Sequence, residues 1–243
     1  MKIRIGTSGF GYREWLGDFY PAKLAGAKML PYFAERIATV EINYTFRRTA
    51  TVDLLNRWAA ATPPHFRFAL KAPYQITHAM KLRSTVNAVQ AFADRANAMG
   101  DRLGPILFQF PPTLKKDIAL LDDFLATMPG SIRPAFEFRD ASWFDDSVMQ
   151  SLSDASAALC IAETEDLSTP AIRTSENLYF RLRKDSYETA RIGEWAKTIR
   201  RLARGASETY AFFRHNNAAP HYALALAEML DAKPPEAPPA SAE

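Results

Sequence analysis

One ordering constrains this chain more than any other feature. A short apolar run is followed by a stretch of helical spacing, and then by another short apolar run, along almost the whole sequence. Strand-like runs are read at Lys2 to Thr7, Thr39 to Asn43, Arg67 to Lys71, Pro105 to Phe110, Pro134 to Arg139, Ala158 to Glu163, Leu178 to Arg183 and Thr209 to His215. Helical stripes lie between most of them, at Met29 to Ile37, Thr51 to Ala61, Ser84 to Leu103, Asp117 to Met128, Asp145 to Ala155, Ile192 to Arg204 and Pro220 to Asp231. Ser84 has the side chain of an N-cap. Strands separated by helical crossovers pair in parallel, and eight such units favour closure into a TIM (β/α)8 barrel. The stretch Thr164 to Asn177 contains Pro170 and carries no helical stripe, so one outer helix is expected to be short or missing.

The chain has 243 residues, of which 48% are apolar, which suits one barrel core. Residues 1–232 are therefore read as a single domain. Residues 233–243, with four prolines among Ala and Glu, are read as a disordered tail. A net charge of +3 and a pI near 8.9 exclude a dedicated polycation but leave room for small anions. No run approaches the roughly 18 apolar residues of a membrane span, and no signal-peptide core follows Met1, so a cytoplasmic address without a membrane partner is expected. A lone cysteine, Cys160 in an apolar run, excludes an internal disulfide and reads as a buried, inert thiol.

Period-two alternation inside the strands locates the chemistry. In Pro134 to Arg139, Phe136 and Phe138 share one face, and Glu137 and Arg139 the other. Glu41 and Asn43, Lys71, Gln109, and Tyr179 with Arg181 and Arg183 alternate with apolar neighbours in the same way. In a barrel the aromatic faces meet the helices, and these polar groups point into the lumen near the carboxyl ends of the strands, where barrels build their sites. A structural ion-pair network among Glu41, Lys71, Glu137, Arg139 and Arg181 is the bland alternative. Such networks seldom improve on apolar packing, which favours a functional site.

Loops add to the same rim. The aromatic loop after the first strand, with Tyr12, Trp15 and Tyr20, suits a wall or lid over the barrel mouth, or else a small hydrophobic cluster. His78 and His215 fall near the rim, whereas His65 and His221 read as surface residues. Gly6 to Phe10 does not fit a nucleophile elbow, and Gly9-Phe10-Gly11 does not fit a dinucleotide fingerprint. His78, His215, Glu41, Glu137 and Glu163 could ligate a divalent ion, but no spaced His motif supports one, so neither metal nor cofactor is assigned.

These residues resemble the YecE-like family of uncharacterised proteins, a domain-of-unknown-function family with a TIM-barrel fold. The resemblance rests on Gly6-Thr7-Ser8-Gly9 with Tyr12, Trp15 and Phe19-Tyr20-Pro21; on Val40 to Asn43 with Thr45-Phe46; on Lys71 with Thr77-His78; and on Gln109 to Pro112. It continues through Glu137 to Arg139 with Ser142-Trp143, then Tyr179-x-Arg181 and Asn216-Asn217. It implies the barrel and a rim site at these positions, but no reaction. The family pattern continues strand seven as Arg-x-His-Gly and ends strand six in Asp, whereas Arg181 is followed here by Leu182-Arg183-Lys184, and Glu163 takes the acidic position.

The expectation carried forward is an enzyme, of hydrolase, lyase or isomerase type, acting on a small polar or anionic (sugar- or phosphate-like) substrate. Glu41, Glu137, Lys71 and His78 are its catalytic candidates, and Tyr12, Trp15, Asn43, Gln109, Arg139, Tyr179, Arg181 and Asn217 bind substrate. The alternatives are a metal-dependent barrel hydrolase or isomerase, with nucleic acid among its candidate substrates, and a noncatalytic anion-binding protein. The sequence does not reveal an oligomeric state.

Overall fold

The eight expected strands pair in chain order, all in parallel, and the eighth closes on the first to complete a barrel. The structure, a computed structural model, describes residues 2–234, so all but the first two residues of the proline-rich tail lie outside the described residues. The strands are β1 (Lys2–Ser8), β2 (Thr39–Ile42), β3 (Arg67–Lys71), β4 (Leu103–Gln109), β5 (Pro134–Glu137), β6 (Ala158–Glu163), β7 (Asn177–Leu182) and β8 (Glu208–Phe213). Around them run α1 (Gly26–Arg36), the single turn α2 (Tyr44–Arg47), α3 (Val52–Ala60), α4 (Val86–Ala96), α5 (Ile118–Leu125), α6 (Asp146–Asp154), α7 (Thr189–Leu202) and α8 (Ala219–Met229). No helix of the described residues is long and apolar enough to cross a membrane.

No helix forms between β6 and β7, as Pro170 and the missing stripe imply. That crossover is held by side chains instead: the Thr174 hydroxyl donates to the Ala157 carbonyl at 2.7 Å and accepts from the Leu159 amide at 2.8 Å. Helix starts follow local chemistry elsewhere. Thr51, Asp117 and Asp145 accept hydrogen bonds from the amides of Leu54, Leu120 and Ser147. The expected cap at Ser84 is not formed. Ser84 lies in the left-handed region (φ 52°), α4 begins two residues later, and Thr85 at the cap position makes no capping bond.

Two apolar layers divide the alternating strand residues. Outward-facing Val40, Phe68, Phe108, Phe136, Leu159 and Phe180 join the helices in the larger core. Inward, Tyr179, Tyr210 and Phe212 meet small partners, Ala69, Ala135, Ala158 and Ala162, with Cys160 buried beside them. Bulk on β7 and β8 against alanine on β3, β5 and β6 fills the lumen. The lumen is thus a packed core with a polar cap at each end.

Gly6 of β1 is fixed by this closure, because a Cβ there would lie 2.0 Å from the carbonyl oxygen of Thr39 on β2. Gly6→Ala is therefore expected to destabilise the fold by about 3 kcal/mol, lowering Tm by about 6–12 °C. Gly11→Ala, where a Cβ meets nothing within 4 Å, should stay within about 0.5 kcal/mol. Thermal denaturation of both variants checks the contrast, and equal effects would contradict it.

Candidate functional site

At the carboxyl end of the lumen Arg181 of β7 projects inward and is closed between two carboxylates. Its Nε and Nη2 donate to Glu41 Oε2 and Oε1 of β2 at 2.9 and 2.8 Å, and its Nη1 donates to Glu137 of β5. All three side chains are almost wholly buried. Glu41 also accepts from Ser8 Oγ (2.8 Å), Tyr179 OH (2.7 Å) and Asn43 Nδ2 (3.2 Å), so both its oxygens are saturated. Glu137 accepts from Gln109 Nε2 at 2.9 Å and from Arg139 Nε at 3.1 Å.

Two effects compete on these carboxylates. Burial alone would raise Glu41, but the charges of Arg181 and Arg183 and the hydrogen bonds from Arg181 and Tyr179 outweigh it and hold the group at about 2. Glu137 behaves alike: burial opposes, Arg181, Arg139 and the Gln109 bond prevail, and it also falls to about 2. Both are fixed anions at neutral pH.

Lys71 of β3 is different. Its Nζ donates to Gln109 Oε1 at 2.8 Å and lies 3.7 Å from the centre of the Phe46 ring, and it has no ion-pair partner among the described residues. Burial and then the Arg181 charge lower it, against Glu41 and Glu137, to about 7. An amine poised at neutral pH can both hold and release a proton. The side chains Lys71, Gln109, Glu137, Arg181 and Glu41 thus form one hydrogen-bonded chain across β3, β4, β5, β7 and β2.

His78 stands nearby on a one-turn π-helix, Gln75–Ala79, its ring 5.0 Å from those of both Phe46 and Tyr74 and its Nδ1 2.8 Å from Thr77 Oγ1. Burial, then the charges of Lys71, Arg139 and Arg47, lower it to about 4, so it is neutral at pH 7. The loop that follows holds Lys81, Leu82 and Ser84 at positive φ, a concentration of backbone strain next to the rim.

Several expected roles shift. Arg139 and Asn43 lie beyond their strands, which end at Glu137 and Ile42: Asn43 turns into the αR region to start α2, and Arg139 is exposed. Trp15 cannot wall a ligand, because it is fully buried and its Nε1 donates to the Asn216 carbonyl at 2.8 Å. Tyr20 is likewise buried, with its hydroxyl on the Phe10 carbonyl, so the β1 loop is a stitched aromatic cluster rather than a free lid. Tyr12 stays partly open, its ring 3.6 Å from that of His215 and its hydroxyl on the Ser8 carbonyl. Asn217 is exposed and makes no hydrogen bond with the cluster, while Tyr179 is buried against Glu41. Glu163 faces outward, bonded to Arg191 and to Trp195 Nε1. Among the described residues no group of three or more His, Cys, Asp or Glu side chains is placed to hold a metal.

Arg183, read from the sequence as inward-facing but given no role, and Ser8, given none either, both join the cluster. Arg183 is two residues beyond Arg181 and so on the same face, and its Nη1 donates to Ser8 Oγ at 2.8 Å. It has no ion-pairing carboxylate among the described residues, and burial followed by the Arg181 charge lowers it to about 10. Tyr44 and Trp58 were also missed. With Phe10, Tyr12 and Asn43 they line a groove of about 350 Å³ beside the cluster, a ready aromatic wall for a ring-shaped ligand.

Replacing Arg181 by Met leaves two buried carboxylates without their shared cation and is expected to cost about 3–5 kcal/mol at pH 7. The pH dependence should also change sign. In the wild type Glu41 and Glu137 have folded values near 2, below their unfolded values, so their contribution is present above about pH 4.5 and fades as pH falls toward 2. In the variant burial raises both carboxyls above the unfolded value, so stability rises as they protonate on acidification. Urea unfolding between pH 7 and about pH 3 measures this, and a variant that loses stability below about pH 4.5 as the wild type does would contradict it.

A family profile described as "Protein of unknown function DUF72" matches residues 4–243. The chain is 27% identical over 143 residues to the UPF0759 protein YecE of Escherichia coli (strain K12), which covers 58% of this chain and 50% of that protein. It is 28% identical over 151 residues to the UPF0759 protein YunF of Bacillus subtilis (strain 168), covering 58% of this chain and 52% of YunF. These alignments thus span about half the length of either relative. Among solved structures, a DUF72 family protein from Thermotoga maritima superposes with a TM-score of 0.81 at 24% identity, covering 95% of this chain and 100% of that one. One from Enterococcus faecalis gives 0.83 at 19% identity, covering 99% and 100%. Both likenesses concern the fold. The chain belongs to the DUF72 family, whose members are uncharacterised TIM-barrel proteins.

Proposed function

We propose that the chain is an enzyme that binds a small anionic, sugar- or phosphate-like substrate at the carboxyl rim and transfers a proton through Lys71. One observation carries this reading: the rim gathers four cations, Lys71, Arg139, Arg181 and Arg183, around two carboxylates, Glu41 and Glu137, that are already saturated or ion-paired. The surplus positive charge calls for an anion. The terminal nitrogens of Arg139 make no hydrogen bond among the described residues, and Arg183 makes one, to Ser8. Both guanidiniums therefore have donors to offer a carboxylate or phosphate.

Glu41 and Glu137, the acid–base candidates named from sequence, are read as positioning groups. Their saturated oxygens and values near 2 suit them to hold Arg181 and, through Gln109, to aim Lys71. Proton transfer falls to Lys71, whose value near 7 matches a group that must be both acid and base at neutral pH. Neutral His78 supplies a hydrogen bond beside it. Hydrolysis, elimination and isomerisation all require such a transfer. The groove walled by Tyr44 and Trp58 gives the uncharged part of the substrate an apolar face.

A thermal-shift screen of anionic and neutral metabolites tests the reading. Anionic sugars or sugar phosphates at about 100 times Kd should add about 2.7 kcal/mol, raising Tm by about 5–10 °C. Arg183→Met should remove that shift. With the substrate so found, Lys71→Met should lower kcat by at least about a hundredfold while binding persists. Stabilisation by neutral sugars alone would contradict the anion site, and unchanged turnover in Lys71→Met would contradict the role of the amine.

A further inference from the structure

The inward-facing residues become charged again at the amino-terminal pole of the barrel. Glu208 of β8 accepts from Arg4 of β1 at 2.7 Å, from Arg133 at 2.5 Å and from Tyr210 OH at 2.8 Å, so one carboxylate serves two guanidiniums. Arg67 of β3 and Arg102 have no carboxylate partner among the described residues, and both give Nη1 to the carbonyl oxygen of Pro64 at 2.9 Å. Of four guanidiniums at this pole, one glutamate thus pairs two. The half-buried Arg67 and Arg102 are met by carbonyl oxygens alone, so their positive charge stays uncompensated. His65 carries the same mark: it is half-buried, and its Nε2 is buried with no hydrogen-bond partner. Burial, then Arg4, Arg102 and Arg67, lower its basicity, so the ring faces the cluster uncharged.

A cavity of about 620 Å³ opens here, larger than the groove at the rim. Its lining includes Lys2, Arg4, Arg67 and Lys233, with Asp231 as the one carboxylate, and Ile3 and Leu230 give it an apolar wall. We propose that this cavity binds a small organic phosphate carrying about three negative charges, of nucleoside diphosphate size. Guanidiniums suit phosphate oxygens in pairs, the volume falls within the range of small-molecule sites, and the apolar wall accepts the organic part. The site lies at the opposite end of the barrel from Lys71 and stands independently of the reaction proposed there.

Calorimetric titration of the full chain with adenosine 5′-diphosphate, with adenosine as control and no divalent ion added, tests the proposal. One equivalent of the diphosphate should bind and adenosine should not. Arg67→Gln should weaken binding about tenfold. Lys2→Ala/Lys233→Ala, whose side chains are exposed and of which Lys233 holds only a surface ion pair with Glu228 at 3.0 Å, should weaken it about threefold while moving Tm by no more than about 2 °C. Lys71→Met, at the other pole, should leave it within about twofold. Absence of diphosphate binding at millimolar concentration, equal binding of adenosine, or loss of binding in Lys71→Met without loss in the lysine pair would overturn the site.

Discussion

Arg181 closed between Glu41 and Glu137 is the interaction on which the upper half of the barrel depends. Two carboxylates with no access to water are tolerable only because one guanidinium faces both, and the guanidinium is tolerable only because it is shared. From it the remaining geometry follows. Tyr179 and Ser8 turn their hydroxyls to Glu41, Gln109 bridges Glu137 to Lys71, and Arg183 is held by Ser8. Lys71, reached last in this chain, receives an amide oxygen instead of a carboxylate and is the group left free to titrate near neutrality.

The lumen has a corresponding economy. Aromatic side chains on β7 and β8 fill its middle against alanines on β3, β5 and β6, and charge is confined to the two ends. At each end cations outnumber carboxylates. The carboxyl-end surplus surrounds a buried amine, and at the amino end Arg4 and Arg67 line the larger cavity. Apolar packing between them keeps the two fields apart, so each pole can be altered without unpairing the other.

Much of this was legible in the sequence. Alternation of period two fixes which strand residues face inward, so Glu41, Lys71, Gln109, Glu137 and Arg181 fall together from the sequence, and the missing helix after β6 follows from Pro170 and the lack of a stripe. What sequence could not supply was the direction of side chains in loops and their depth. Trp15 reads as a ligand wall until its indole nitrogen is found on the Asn216 carbonyl. Arg139 and Asn43 read as strand residues because alternation does not say where the ladder stops. Arg183 was visible on the inward face but lacked the family's histidine and was passed over. The charge surplus at the amino-terminal pole was invisible, because Arg4, Arg67, Arg102 and Arg133 are far apart in sequence and meet only when β1, β3 and β8 close.

The fixed Glu41–Arg181–Glu137 unit leaves Lys71 as an amine poised near neutrality. The most direct measurement is competitive acylation of all lysines across pH 5 to pH 11, with the labelling of each site read by mass spectrometry. Lys71 is expected to titrate at about 7, well apart from exposed lysines at ~10.4. A Lys71 that titrates together with the surface lysines would contradict it.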